Sequence, residues 1–140
     1  MIRDISMEKI SLVTGCYDIV HIGHIELFKF CKSISDKVVV GLDSDERVKE
    51  SKGRDRPYHT VNDRLKFLEA IRYIDDIFVF SSDEDLIQNL NLYSPTYRVL
   101  GGDYKDGKKT IVGDGIAQKT VFFDRVGDFS TTNILKNKGV

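Results

Sequence analysis

The sequence predicts an α/β fold: a doubly wound, five-stranded parallel sheet with helices on both faces, in a single domain. Three observations predict it. Short β-branched and aromatic runs alternate with segments of helical periodicity. Most of the strand-like runs are continuously apolar, as strands covered on both faces are. The length, 140 residues, is the usual size of one domain, and no repeat, low-complexity stretch or long linker divides it.

The elements follow in order. Residues 1–7 read as a short tail before residues 9–14, a buried strand. Residues 22–35 place Ile22, Ile25 and Phe28, with Leu27, Cys31 and Ile34, at helical spacing. Residues 37–42, rich in valine, read as a second buried strand. A short charged helix is expected over 43–50, then a loop rich in Lys, Arg and Gly over 51–59. Residues 60–73 read as a helix opened by Thr60 and Asp63, spaced like a capping box. Strands at 77–80 and 97–100 flank a helix at 83–92. Residues 101–118 are a Gly- and Lys-rich loop, 119–123 a fifth strand and 130–137 the last helix.

Composition excludes several functions. Hydrophobic residues make up 41% and charged residues 31%, an ordinary globular balance. The net charge of -1 gives no broad basic footprint for nucleic acid, so anion binding must come from a local cluster. Cys16 and Cys31 fit no zinc spacing and read as reduced thiols of a cytoplasmic protein. No run is long and apolar enough for a membrane span, and the first residues lack the apolar core of a signal peptide.

Two familiar phosphate motifs fail. No G-x-G-x-x-G follows the first strand, which runs into Thr14-Gly15-Cys16-Tyr17-Asp18. Gly102 and Gly107-Lys108 have P-loop spacing, but Lys109 stands where a Ser or Thr must bind magnesium, and no amphipathic helix follows. That segment reads as a mobile basic loop.

The strongest local feature is His21-Ile22-Gly23-His24, just after the first strand and opening the first helix. Histidines three apart share one face of a helix turn. The helix start also collects free backbone N–H groups and the positive end of the dipole, a ready anion site. Gly23 lets a bulky ligand approach the backbone. Zinc lacks a third ligand there, since His59 is the only other histidine. A second helix start, Ser130-Thr131-Thr132-Asn133, offers hydroxyls for phosphate, although Ser and Thr cap helices routinely. Arg125 lies shortly before it. Lys49, Lys52, Arg54 and Arg56 make a third, mixed-charge feature whose default reading is a solvated face.

Together these residues resemble the cytidylyltransferase-like nucleotidyltransferases over nearly the whole chain. Thr14 to His24 resembles that family's T-x-G-x-F-D-x-x-H-x-G-H region, with Tyr17 in place of Phe and one residue fewer between Thr and Gly. Ser130-Thr131-Thr132 resembles its C-terminal S-T-T element. The segments 52–57, 101–105 and 130–134 are similar to the adenylyltransferase domain of bacterial heptose 1-phosphate adenylyltransferases. Tyr58-His59, Arg64, Ile71-Arg72-Tyr73 and Arg125 followed by Ser130 are similar to glycerol-3-phosphate cytidylyltransferases, where a Thr follows that arginine and here stands Val126.

The resemblance implies a Rossmann-like fold and transfer of a nucleoside monophosphate from a triphosphate to a phosphorylated sugar or polyol, releasing pyrophosphate. The favoured pair is ATP with a heptose 1-phosphate-type sugar, and the alternative is CTP with glycerol 3-phosphate. It implies a stand-alone transferase without a linked kinase, a homodimer, and magnesium bound mainly through the triphosphate, with no metal cage of protein ligands. It assigns catalytic roles to His21, His24 and Lys52. Nucleotide and phosphate contacts fall to Thr14, Gly15, Tyr17, Gly23, Arg125, Ser130 and Thr131. Asp18, Arg64 and Asp103 are weaker candidates for substrate, Asp18 being better suited to orienting its turn. A rival of another class is a regulatory module that kept the nucleotide pocket and lost turnover. No membrane or nucleic-acid partner is expected.

Overall fold

The computed structural model describes residues 8–124. The elements are β1 (Ile10–Gly15), α1 (Ile22–Ile34), β2 (Lys37–Asp43), α2 (Asp45–Lys52), α3 (Val61–Glu69), β3 (Asp76–Phe80), α4 (Asp83–Tyr93), β4 (Tyr97–Gly101), a 3-10 turn (Gly102–Tyr104) and β5 (Lys119–Phe123). The expected tail at 1–7, the helix at 130–137, and Arg125, Ser130 and Thr131 lie outside the described residues.

The five strands form one parallel sheet in the order β3-β2-β1-β4-β5. Strand order therefore reverses direction between β1 and β4, where ligands of such sheets bind. The registers show how a crevice opens there. β1 pairs with β2 from Ile10↔Lys37 through Gly15↔Leu42. It pairs with β4 at Ser11↔Tyr97 and Leu12↔Arg98 and no further. Beyond that point the carboxyl ends of the two strands part.

Side chains alternate across the sheet and feed two cores. Val13, Val38, Val40, Leu42 and Val99 pack with Phe28 and Cys31 of α1 and Leu68 of α3. Leu12, Val39 and Phe80 face the other way, onto Leu86 and Leu90 of α4, with Val112 and Ile116 alongside. Helices thus cover both faces, and the continuous apolar strands are explained. Among the described residues no helix is long and apolar enough to cross a membrane.

Two helices differ from their predicted bounds. The helix expected over 43–50 starts at Asp45, because Ser44 caps it by accepting from the Arg47 N–H, and Asp43 finishes β2. The helix expected over 60–73 ends at Glu69. Thr60 caps it as expected, accepting from the Asp63 N–H. Past Ala70 the apolar spacing continues, but Ile71, Tyr73 and Ile74 pack against the core from turns. Periodicity marked burial there and not helix.

Candidate active site

A cleft of about 980 Å³ opens at the reversal point. Thr14 and Gly15 at the end of β1, the start of α1, the end of α2 and the segment after β4 all contribute to its wall.

His21 is the N-cap of α1, a place usually taken by a small polar residue. Its Nδ1 accepts from the Gly23 N–H at 3.1 Å, and Nδ1 of His24 accepts from the His21 N–H at 3.2 Å. The two imidazoles thus build a reciprocal capping box. Their rings stack, with centroids 3.8 Å apart and planes 21° apart. Because each Nδ1 is an acceptor, the hydrogen-bond pattern assigns the neutral proton to each Nε2. Both side chains line the cleft, as does Gly23, which is buried. The site therefore combines a helix N-terminus with two oriented imidazoles.

Tyr17, expected among the phosphate contacts, is 5% exposed and belongs to the core. Its ring meets His24 edge-on at 5.1 Å and Phe28 at 5.3 Å, so it braces the histidine from beneath. Its backbone is left-handed, with φ of 46°. A side chain at position 15 would put its Cβ 3.0 Å from that ring, which explains Gly15. The Tyr17 hydroxyl is buried without a hydrogen-bond partner, and burial raises its pKa well above the usual phenol value.

Asp18 and Arg64, expected as substrate contacts, are spent inside the protein. Both are 0% exposed. The Asp18 carboxylate accepts from Arg56 Nε (2.9 Å) and from the N–H groups of Tyr58 (2.7 Å) and His59 (2.8 Å). Burial alone would raise its pKa, but those two N–H groups and the Arg56 guanidinium outweigh it and hold the carboxyl below its usual range. Arg64 donates to the carbonyls of His59, Cys16 and Asp43 and to the Asp45 carboxylate, at 2.8 to 3.0 Å. It ties the ends of β1 and β2 to the starts of α2 and α3. Both side chains are thus held by protein groups, and neither is among the residues that line the cleft.

Lys52 ends α2, is exposed and lines the cleft. Asp103 lies in the 3-10 turn and also lines it, held by Lys109 at 2.6 Å. In the segment read as a mobile basic loop, Lys109 pairs with Asp103 and Lys105 with Asp124, both at the surface, and Val112 and Ile116 pack beneath α4. Gly113, with φ of 77°, permits this close approach, since a Cβ there would sit 2.4 Å from Leu90.

Sequence reasoning missed three cleft residues. Arg47 stands over the Phe80 ring at 5.1 Å and pairs with Asp43 and Asp83. Asp43 has its pKa raised by burial, which Arg47 only partly offsets. Arg98 is buried on β4. A charged residue inside an apolar strand run was the available signal for Arg98; Arg47 was submerged in a charged helix, and Asp43, the last residue of β2, was read into that helix.

Residues 12–134 match the family model described as cytidylyltransferase-like. The bifunctional protein HldE of Campylobacter fetus is 41% identical over 138 residues, covering 97% of this chain and 29% of that protein. HldE of Helicobacter hepaticus is 32% identical over 137 residues, covering 98% and 28%. The chain thus spans under a third of the length of these relatives. The crystal structure of a lipopolysaccharide core biosynthesis protein from Thermoplasma volcanium superimposes with a TM-score of 0.70 at 24% identity, over 85% of this chain and 98% of that one, a likeness of fold.

Proposed function

The chain belongs to the cytidylyltransferase-like family, and from that premise we propose that it is a nucleotidyltransferase joining AMP from ATP to a heptose 1-phosphate-type sugar, with release of pyrophosphate. The observation that carries this reading is the imidazole pair that caps α1 and lines the cleft at the strand-order reversal. The HldE relatives support the choice of acceptor class.

An oxygen of the sugar's phosphate attacks the α-phosphorus in line. The new P–O bond forms as the bond to the β-phosphate bridging oxygen breaks, and that oxygen leaves with pyrophosphate. Such a transfer asks the protein for positioning and charge stabilisation and for little covalent work. His21 and His24 donate to oxygens of the α-phosphoryl group as charge builds there. Thr14 and the amides near Gly15 hold further oxygens at the end of β1. Lys52 brings a cation from α2 to the triphosphate or the incoming phosphate. Asp103, which lines the cleft, is assigned to the sugar or ribose side in this proposal. Arg125, Ser130 and Thr131 keep their expected roles toward the nucleotide phosphates.

The three carboxylates that line the cleft have basic partners, Asp43 in Arg47, Asp103 in Lys109 and Asp124 in Lys105. That donor set fits magnesium arriving with the triphosphate, whose oxygens hold it, and not a protein cage. Once bound it neutralises part of the phosphate charge. Two free thiols suit a cytoplasmic enzyme, and the family resemblance supports a homodimer.

The test is pyrophosphate release measured over four nucleoside triphosphates and a panel of sugar and polyol phosphates. The expected pair is ATP with a sugar 1-phosphate. Turnover of CTP with glycerol 3-phosphate would redirect the assignment within the family. Nucleotide binding without pyrophosphate release from any pair would replace it with a regulatory module.

A further inference from the structure

Arg98 is the last residue of β4 paired with β1, so it stands at the floor of the crevice that opens beyond. Val99 faces the α1 side, and alternation sends Arg98 to the α4 side. It lines the cleft among Phe80, Leu86, Leu100 and Ile111 and is 5% exposed.

Its hydrogen bonding is incomplete. One terminal nitrogen donates to the Val112 carbonyl at 2.8 Å, and Nε is buried with no partner. No carboxylate among the described residues lies within ion-pair reach of it. Burial pulls its pKa down, with Tyr104 and Asp114 opposing from further away. The other cleft cations differ: Arg47 has two carboxylates and Lys52 has solvent. A guanidinium taken out of water without a counter-charge destabilises a fold. Holding one loop carbonyl does not require a charge, since a neutral amide donates as well. The charge needs a partner that enters the cleft.

We propose that Arg98 is an anion-binding residue of this cleft, its guanidinium pairing with a phosphoryl oxygen of the bound ligand. The inference rests on the phosphate-ligand reading above and adds a contact at the foot of β4. Two sources share this chemistry, the triphosphate and the acceptor's phosphate. A guanidinium suits either, because its planar fork can meet two oxygens at once. The apolar neighbours strengthen the contact by lowering the local dielectric.

The experiment compares the full chain with Arg98→Leu, Arg98→Gln and His24→Ala. Thermal stability is measured alone, and affinity is measured for tripolyphosphate, glycerol 3-phosphate and glucose 1-phosphate, each added separately. Arg98→Leu removes a buried charge with no ion-pair partner among the described residues, so its ligand-free Tm should match or exceed that of the parent. Arg98→Gln keeps a donor for the Val112 carbonyl and decides the matter if the leucine variant folds poorly. Both should weaken at least one probe by about 10- to 100-fold, the range of a lost charge-assisted hydrogen bond. A loss confined to tripolyphosphate assigns the contact to the triphosphate; a loss confined to the monoesters assigns it to the acceptor. Parental affinity for all three probes in Arg98→Gln would overturn the inference and leave Arg98 as a loop pin. If His24→Ala alone loses tripolyphosphate, only the Arg98 inference fails. If the parent chain binds none of the probes, the phosphate reading fails with it.

Discussion

The helix tip at His21 and the clamp at Asp18 leave the same loop after β1 and use hydrogen bonds in opposite ways. Each histidine spends its Nδ1 on the backbone of the first helix turn and lines the cleft with the same ring. Asp18 and Arg64 commit nearly everything: three donors converge on the carboxylate and four acceptors surround the guanidinium. The difference teaches how polar residues beside one motif divide. Asp18 and Arg64, buried among protein partners, build the frame, and the histidines that line the cleft are the ones proposed to meet the ligand.

The comparison breaks most sharply at Arg64. Arg64→Ala leaves Asp45 and three carbonyls without their donor and a void where a fully buried side chain stood. A loss of about 3–5 kcal/mol is expected, seen as a Tm lower by roughly 10 °C or more. A stable Arg64→Ala protein with a raised KM would return that residue to the substrate site. At the helix tip the order of effects inverts. His24→Ala and His21→Ala should each lower kcat by about 10²–10³, while stability falls only by the ~0.5–2 kcal/mol of a lost cap. Near-normal turnover in both would remove the role proposed for the pair.

Asp18 sharpens the contrast through pH. Its folded pKa is depressed, so its contribution is present above the unfolded value, about 3.9, and is lost as pH falls through the folded value. Denaturant unfolding of the parent and of Asp18→Asn should differ by about 1–3 kcal/mol at neutral pH, and the gap should close in strong acid. A gap independent of pH would mean the charge is not what matters. The smallest effect belongs to Tyr17→Phe. Removing a buried hydroxyl without a partner should leave Tm unchanged or slightly raised. Turnover should stay within about twofold, because the ring that braces His24 remains. A large loss of activity would give the hydroxyl a task in the cleft.

The sheet was legible because valine-rich runs such as 37–42 leave little alternative to a buried strand. The position of the histidine pair at a helix start was legible because a buried strand precedes it and helical apolar spacing follows it. The buried bonding of Arg64 and Asp18 was not legible, for a physical reason. A sequence shows which groups can bond a ligand, but satisfaction is settled by neighbours far along the chain, such as His59 and Cys16 for Arg64. Arg98 was overlooked for the converse reason: strand patterning marked its position as interior and drew attention from the charge placed there.

The imidazole cap has a mechanical consequence. The bonds that start α1 are the same bonds that hold each ring at its angle. The first turn cannot fray and keep the rings in place, so local melting and loss of the proposed phosphate contacts would be one event. Anything that grips the ring edges must, by linkage, also tighten the Gly23 and His21 amides.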